Sequence, residues 1–421
     1  MSIDNRPDHL LGRGSHIAKI SRVLEWLDNS PDVKGDELVL MMDAYGPCLL
    51  FHGSSDECSQ GADIWFQLRK EVFISRYHAI NAAANERLRK RLGRAADVED
   101  LKQTIVFGAG KRCAPNQVHT VACYPIPESP LPEDLYGANT DTIMGRNKYT
   151  SLRQRYLNSG YIIGPKSDMR KMFARAWDKV QATTDHMDFD NGSGGSDFMY
   201  HGSDQSIFND MLGEQEFQRE VMRRRHLSLA DKARGRGKAP KQTYIEGTLV
   251  DDPLNPSFHH QVMEHKDGKP DEFSMGLDYF SELGQQTVNA EDDARYITYG
   301  GDIEEQTSNN RHAFDCPSRV TGVLPADILN GSPMLDDKPA EWRDQPLYTN
   351  MCLNVVPAMM HHNGDKNARE YAWQGMWVQP HARNVVANME GTPVAHIAGG
   401  ADMSWGELCP ADFDGEIFRD V

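Results

Sequence analysis

Apolar residues recur at a helical spacing near the start of the chain and then form an unbroken run. The first set predicts an amphipathic helix whose N-terminus Ser15 could cap, and its members are Ile17, Ile20, Leu24 and Leu27. The apolar run over residues 38–42 follows soon after and predicts a buried strand. The chain therefore begins with a helix that leads into a strand.

Helical and strand-like segments continue to alternate after this point. We predict helices over residues 71–92 and 168–180, strands over 104–107 and 355–360, and a turn running into a strand over 156–164. The polar stretch over about 213–270 is typical of a peripheral insertion. Strands that alternate with helices indicate an α/β layer architecture.

Two carboxylates flank a segment that differs in composition from both of its neighbours. Asp43 ends the first predicted strand, and Asp63 begins the next apolar run. If residues 46–62 are removed, the sequence reads LVLMMDAYDIWFQL, a continuous apolar strand with Asp-x-x-Asp at its C-terminal end. We therefore expect residues 46–62 to be a translated intron or another gene-model error. The alternative is a real surface loop, because loops tolerate insertion.

The two carboxylates and a distant histidine have the chemistry of a cation site. Asp43 and Asp63 could chelate Mn²⁺ or Mg²⁺ and hold it against a diphosphate, because hard cations take oxygen ligands. His361 follows the last predicted strand and could supply a nitrogen ligand. Lys366 could meet a phosphate as a point charge. The alternative is that these are ordinary polar residues of turns.

Two short polar motifs are candidates for contacts to a sugar or to its acceptor. The predicted turn Asn158-Ser159-Gly160 is small, so a ligand can approach its backbone closely. Asp204, in Ser203-Asp204-Gln205, opens a predicted helix. It could cap that helix, or it could orient or deprotonate an acceptor hydroxyl. Both alternatives stay open at this point.

Composition excludes some classes of partner. The 421 residues include 45 Lys and Arg against 62 Asp and Glu, a net charge of −17, which argues against nucleic acid because a phosphate-binding surface is basic. The seven cysteines form no CxxC pair, which argues against a zinc finger. The five outside residues 46–62 are compatible with one or two disulfides or none. No apolar stretch reaches the length that spans a membrane, and the first residues lack the apolar region of a signal peptide.

Six phrases in order carry a resemblance to a known family. They are DAY with its downstream Asp, FGAGKRCAPN, YLNSGYIIG, SDQSIF, LDYFSELGQQT and HHNGDK. Over roughly residues 15–380 the chain resembles the glycosyltransferase domain of the procollagen lysyl hydroxylases. It is most similar to that domain's fungal relatives, which are grouped with trypanosome expression-site-associated proteins. The resemblance implies a single glycosyltransferase-like domain with a C-terminal extension after about residue 380.

The resemblance implies a GT-A-like fold, a mixed sheet flanked by helices, and a defined chemistry. It implies transfer of a hexose from a UDP-sugar to a hydroxyl acceptor, a protein or a glycan, with Mn²⁺ as cofactor. The family's metal carboxylates correspond to Asp43 and Asp63, and its metal-binding histidine to His361. Its acidic acceptor-side pair corresponds to Ser203 and Asp204, of which only Asp204 is acidic here. The expected nucleotide- or substrate-binding residues are Tyr45, Asn158, Ser159, Gly160, Gln205, Asn363, Gly364 and Lys366.

Three departures from the family pattern favour an alternative. Ala114 stands where relatives have an aromatic residue, the Asp-x-x-Asp motif is split, and only 42 residues precede Asp43. A GT-A fold normally places its nucleotide-cradling first strand before this motif. We therefore expect a chain truncated at its N-terminus, where a membrane anchor would also lie. The family works in the lumen of the ER or Golgi or is anchored to their membranes. The alternative to an enzyme is an inactive GT-A-like pseudoenzyme or binding module.

Overall fold

The computed structural model describes residues 11–43, 63–116, 120–137, 148–184, 203–234, 272–308, 316–333, 340–365, 368–389, 391–397, 401–409, 411 and 414–418. These residues form two compact units, and each is described by itself. Unit 1 comprises the described parts of Met1–Met41 and Tyr77–Tyr279, and unit 2 those of Met42–Arg76 and Phe280–Val421. Both contain helices and mixed or antiparallel strands, so the chain is a mixed α/β protein. The expectation of a single glycosyltransferase-like domain stays a prediction.

Unit 1 is built around a four-stranded mixed sheet. Its strands lie in the order β1-β4-β3-β5, with β3 antiparallel to β4 and parallel to β5. The strands are β1 (Leu38–Met42), β3 (Ile105–Gly110), β4 (Tyr156–Pro165) and β5 (Met275–Asp278). The helices are α1 (Leu11–Asn29), α2 (Lys70–Leu92, which begins in unit 2), α3 (Arg94–Val98), α4 (Lys166–Thr184), α5 (Asp204–Arg225) and α6 (Leu229–Ala233).

The core of unit 1 lies between this sheet and helices α1, α4 and α5. The rings of Phe107 on β3 and Phe173 on α4 both pack against Phe208 on α5, at centroid distances of 5.4 and 5.3 Å. Ile20 and Leu27, predicted as the apolar face of the first helix, are buried in the same core. The helix begins at Leu11, so Ser15 lies inside it and is not its N-cap. Burial of this apolar stripe explains why the predicted helix forms.

The second half of α5 is polar and buried, although it belongs to the stretch predicted to be peripheral. Gln215 donates to the carbonyl of Met275 at 3.0 Å and accepts from the backbone N–H groups of Phe273 and Met275. A Cβ at Gly213 would lie 1.8 Å from the carbonyl oxygen of Val121, so only glycine allows this close approach. Polar side chains tolerate burial here because hydrogen bonds satisfy them. Residues 235–271, the rest of that stretch, lie outside the described residues.

Unit 2 contains small sheets and short helices. A three-stranded sheet has the order β2-β9-β6, and strands β7 with β8 and β10 with β11 form antiparallel pairs. The strands are β2 (Ile64–Phe66), β6 (Gly284–Gln286), β7 (Ala294–Thr298), β8 (Pro346–Asn350), β9 (Met359–His361), β10 (Ala395–Ile397) and β11 (Ala401–Met403). The helices are α7 (Ile303–Ser308), α8 (Ala326–Leu329), α9 (Ala368–Gly375), α10 (Ala382–Ala387), α11 (Trp405–Leu408) and α12 (Asp414–Phe418).

Buried polar side chains connect the segments of unit 2. Gln67, just after β2, donates to the carbonyls of Tyr348 and Pro357 at 2.9 and 2.7 Å. Arg76 donates to the carboxylate of Asp327 at 2.7 Å and to two further backbone carbonyls. These long-range bonds fix β2 and the start of α2 against the later strands of the unit.

Two predictions about strands are corrected. The apolar runs on either side of residues 46–62 do not form one continuous strand, since β1 belongs to the four-stranded sheet and β2 to the three-stranded sheet. Of the predicted strand over 355–360, only Met359 and Met360 lie in a strand, which continues to His361, and Val355 makes just an isolated bridge to Asn350. Residues 46–62 themselves lie outside the described residues.

The described residues include two disulfides, one in each unit. Cys113 pairs with Cys123 in unit 1, and Cys316 pairs with Cys352 in unit 2, while Cys409 is free. The sequence left one, two or no disulfides open. No helix in the described parts of the chain is both long and apolar enough to cross a membrane.

Candidate functional site

Asp43 and His361 lie next to each other in unit 2. The Oδ2 atom of Asp43 is 3.9 Å from Nε2 of His361. The imidazole is 2% exposed and the carboxylate 32% exposed, so the carboxylate faces solvent while the ring is buried. Ligand bonds to divalent cations are about 2.0–2.6 Å long, so two ligand atoms of one ion lie within about 5 Å of each other. The pair therefore fits as two ligands of one cation.

The three-stranded sheet fixes the position of His361. Its strand, β9, lies between β2 and β6, and His361 is in register with Ile64 on one side and Gln286 on the other. Its carbonyl accepts from the N–H of Thr287 at 3.1 Å. The apolar residues Met359 and Met360 anchor β9 because both are fully buried. The sheet therefore holds the imidazole in place, as a metal ligand requires.

Asp63 lies at the same edge of the sheet, but its carboxylate forms an ion pair with Arg369 on α9. Both side chains are nearly fully buried. Burial lowers the pKa of Arg369, and the charge of Asp63 opposes this shift. An arginine stays protonated in either case, so the ion pair is maintained at neutral pH.

Strand register explains why Asp63 and His361 do not share a partner. Ile64 is opposite His361, and the carbonyl of Asp63 accepts from the N–H of His362 at 2.7 Å. Directly opposite residues share a face of an antiparallel pair, and successive residues alternate between faces. Asp63 therefore shares a face with His362, whose ring stacks on Trp65 at 4.1 Å. Among the described residues no three His, Cys, Asp or Glu side chains group so that they could hold a metal ion.

The turn after β9 is held by its own side chains. Asn363 accepts from the N–H of Val288 at 3.0 Å, and the N–H of Gly364 donates to Oγ1 of Thr287 at 2.9 Å. A Cβ at Gly364 would lie 2.8 Å from a carboxylate oxygen of Glu291. Asn363 and Gly364 thus have structural contacts in addition to the expected role in binding. Tyr45 and Lys366 lie outside the described residues.

A second set of expected site residues converges in unit 1. Oε1 of Gln205 accepts from Nδ2 of Asn158 at 3.0 Å and from the N–H of Ser159 at 3.4 Å. The N–H of Gly160 donates to Oδ1 of Asn158 at 3.0 Å. Residues 158–160 lie inside β4 and are not the predicted turn. Asn158 is in register with Gly108 and Ile162 with Phe107, so residues 159–161 of β4 form a bulge against β3, a feature common beside active sites.

Lys19 connects this bulge to Asp204 at the start of α5. Its ammonium lies 2.8 Å from Oδ2 of Asp204 and donates to the carbonyl of Ser159 at 3.1 Å. The Asp204 side chain is 4% exposed, and the lysine compensates its buried charge. The arrangement holds a carboxylate beside the buried backbone of β4, an interior strand of the four-stranded sheet.

Asp210 lies further along α5 and has a perturbed pKa. Nδ2 of Asn116 donates to Ser206 Oγ at 3.0 Å and to Oδ1 of Asp210 at 3.3 Å. Burial raises the pKa of Asp210 to about 7, Lys179 opposes the shift, and Glu214 adds to it. Asp210 therefore changes its charge near neutral pH.

Sequence reasoning missed Lys19, Arg369 and the Trp65–His362 pair. Lys19 is one polar residue of an amphipathic helix, and nothing in its spacing distinguishes it from the other lysines and arginines there. Arg369 follows HHNGDK by only a few residues, so its proximity to the candidate histidine was the available signal. His362 is adjacent to His361, and only the register separates the roles of the two rings.

The chain matches no protein-family model, and a search of curated proteins returns no match. The functional assignment therefore depends on the residues described above and on the resemblance of the motifs that contain them.

Proposed function

We propose that this protein transfers a hexose from a UDP-sugar to a hydroxyl acceptor with Mn²⁺, on a GT-A-like fold. The observation that supports this most is the 3.9 Å approach of Asp43 to His361, a carboxylate and an imidazole from opposite ends of the chain. Mixed oxygen and nitrogen ligands suit Mn²⁺ better than Ca²⁺. The mixed sheet of unit 1 is compatible with the proposed fold.

In this proposal Asp43 and His361 hold the cation in unit 2. A cation held there would supply positive charge to the leaving diphosphate. Asp63 lies at the same edge of the three-stranded sheet but on the opposite face from His361, and it would join the site only if its carboxylate exchanged Arg369 for the cation. Arg369 then becomes available to a phosphate oxygen, because guanidinium groups bind phosphate well.

The resemblance assigns to Asp204 of unit 1 the role of accepting the proton of the acceptor hydroxyl. The hydroxyl oxygen bonds to the anomeric carbon of the hexose, the bond from that carbon to the diphosphate breaks, and UDP leaves. Lys19 orients Asp204 and compensates its charge, since its ammonium lies 2.8 Å from the carboxylate. The resemblance assigns sugar contacts to Asn158, Ser159 and Gly160, whose polar groups are bonded to Gln205, to Lys19 and to one another.

We further propose that the protein works in the secretory pathway. Its two disulfides favour an oxidising compartment, where such bonds form and persist. The resemblance points to the same compartment.

The second candidate is an inactive protein that binds nucleotide without turnover. The ion pair of Asp63 with Arg369 favours it, because it occupies a carboxylate that the active form needs for the cation. The two candidates differ in catalysis and not in fold.

One experiment separates them. UDP release is measured with UDP-glucose or UDP-galactose, with Mn²⁺ or with EDTA, for the protein and for Asp43→Ala. The proposed function requires release that depends on Mn²⁺ and on Asp43. Stabilisation by UDP and Mn²⁺ without release supports the inactive binder. If neither release nor stabilisation is observed, both candidates are contradicted.

A further inference from the structure

A second site is suggested by a cavity of about 190 Å³ inside unit 1. It lies between α2, the second half of α5 and the edge strand β5. Glu216, on its wall, follows Asp204 by twelve residues of α5, about 18 Å along a helix axis. The cavity is therefore distinct from the cluster around Asp204. Its volume is below the roughly 300–1,000 Å³ typical of pockets for drug-sized ligands, so it suits a small molecule.

The lining of the cavity is rich in guanidinium groups. Arg87 and Arg91 come from α2 and Arg219 from α5, and the carboxylates of Glu128 and Glu216 also line it. Behind this lining, Glu272 pairs with Arg219 at 2.6 Å, and the buried Arg155 donates to the carbonyl of Ile126, a lining residue, at 2.7 Å. Four guanidiniums thus face three carboxylates, which leaves an excess of one positive charge.

Glu216 and Glu272 compensate part of the positive charge around the cavity. Glu216 contacts Arg91 at 2.5 Å and Arg219 at 2.7 Å. Burial alone would raise the pKa of Glu216, but the charges and hydrogen bonds of Arg91 and Arg219 lower it. Glu216 is therefore ionised and fixed. Arg219 is fully used by Glu216, Glu272 and the carbonyl of Lys102.

Several donors around the cavity lack an acceptor among the described residues. Arg87 makes no ion pair or hydrogen bond there. Nε2 of Gln103, which is 7% exposed and lines the cavity, has no hydrogen-bond partner, and the same is true of Nε and Nη1 of Arg155. Buried donors without acceptors cost free energy, and a buried guanidinium cannot lose its proton. A set composed of donors requires a ligand composed of acceptors.

Gln103 is held where it is by its surroundings. Asn85 on α2 bonds both the N–H and the carbonyl of Gln103, at 2.7 and 3.0 Å. A Cβ at Gly276 would lie 1.6 Å from Oε1 of Gln103, so the glycine leaves the space that the side chain occupies. Tyr279 completes the wall. Burial raises the pKa of its hydroxyl to about 12, while Arg91, Arg155 and Arg87 oppose the shift, so the hydroxyl remains a donor at neutral pH.

We propose that this cavity binds the oxyanion of a small molecule, a phosphate or carboxylate group, through Arg87, Arg91 and Gln103. Guanidinium groups bind both kinds of oxyanion in a forked geometry. Arg155 contributes its charge from behind the lining. The proposal needs neither UDP nor a metal, so it can fail while the proposed function holds, and the reverse is also true.

The test uses inorganic phosphate and acetate as probes of the two chemistries, in EDTA, with chloride at matched ionic strength as reference. Binding is measured by thermal shift and by calorimetry on the whole chain. The key variant is Arg87→Met, since Arg87 has no described partner whose loss would unfold the protein. Arg89→Met is the matched control, because Arg89 lies on the same helix, is 67% exposed and does not line the cavity.

We expect saturable binding of at least one probe, with affinity at least about tenfold weaker in Arg87→Met and unchanged in Arg89→Met, a loss of about 1.4 kcal/mol. Arg87→Lys should restore part of the affinity, because lysine returns the positive charge but lacks the paired N–H donors of the guanidinium. The probe that binds identifies the group as phosphate or carboxylate. Absence of saturable binding by both probes, or equal loss in the Met variants of Arg87 and Arg89, would overturn the proposal.

Discussion

The carboxylate of Asp43 lies 3.9 Å from the imidazole of His361, although the two residues come from opposite ends of the chain. The first follows a strand of the four-stranded sheet, and the second ends the central strand of the three-stranded sheet. We propose that a divalent cation bound by both side chains explains this long-range approach. The following predictions test this explanation and the residues around it.

Replacing Arg369 with Met should destabilise the protein and increase its response to Mn²⁺. The change leaves the buried Asp63 carboxylate without its ion pair, which typically costs about 3–5 kcal/mol. Mn²⁺ can then compensate Asp63, so the cation should raise the melting temperature more than in the unmodified protein. Arg383→Met is the control, since its pair with Asp414 is exposed and worth little. An unchanged response to Mn²⁺ would show that Asp63 is not a ligand.

Replacing Lys19 with Met should lower kcat for UDP release and leave Mn²⁺ affinity unchanged. The reason is that Lys19 contacts Asp204 and Ser159 in unit 1 and has no part in the cation pair. Lys19→Arg should retain much of the activity, and Asp204→Asn should lose more than Lys19→Met. Steady-state kinetics separate kcat from KM. Full activity in Asp204→Asn would remove Asp204 from the mechanism.

Asp210→Asn should stabilise the protein above pH 7 and have little effect near pH 4. Burial raises the native pKa of Asp210 to about 7, above its ordinary value of 3.8, so the native state binds the proton more tightly than the unfolded state does. The stability that the protonated carboxyl of Asp210 contributes is complete below about pH 3.8 and is lost as the pH rises to 7 and beyond. Melting temperatures across pH 4–8 measure this. If the difference in melting temperature between Asp210→Asn and the unmodified protein does not change with pH, the raised pKa of Asp210 is contradicted.

Deleting residues 46–62 should increase Mn²⁺-dependent turnover of a UDP-hexose. The deletion joins Tyr45 to Asp63 and creates the tight Asp-x-x-Asp sequence. Misplacing a catalytic group by about 1 Å can lower the rate a hundredfold, and an insertion between two ligands risks a larger displacement. UDP release is compared between the two chains. Equal activity would mean that residues 46–62 are a tolerated loop.

Much of the fold could be predicted from local pattern. The predicted helix over 71–92 is observed as Lys70–Leu92, and that over 168–180 as Lys166–Thr184, because apolar spacing over many residues determines such helices. The segment 158–160 was wrongly predicted as a turn. Asn, Ser and Gly favour turns locally, but the pairing of β4 with β3 keeps them in a bulged strand.

Long-range partners could not be predicted in the same way. The sequence indicated Asp43 and His361 as ligands through their motifs, and it gave no sign that Arg369 would hold Asp63. The burial of α5 beyond Gly213 was also missed, because Glu214, Glu216 and Arg219 suggest a solvated surface. Their ion-pair partners come from elements distant in sequence, and only the folded chain brings them together.

The most direct test of the account is Mn²⁺ titration by calorimetry in the presence of UDP, with His361→Phe compared with His362→Phe. Both variants replace an imidazole with a ring of similar size, but His361 lies 3.9 Å from Asp43, whereas the ring of His362 packs against Trp65 on the other face of the strand. The account predicts that His361→Phe weakens Mn²⁺ binding at least about tenfold, or by about 1.4 kcal/mol, and that His362→Phe leaves it unchanged. Equal affinities in the two variants, or no Mn²⁺ binding by the unmodified protein, would contradict it.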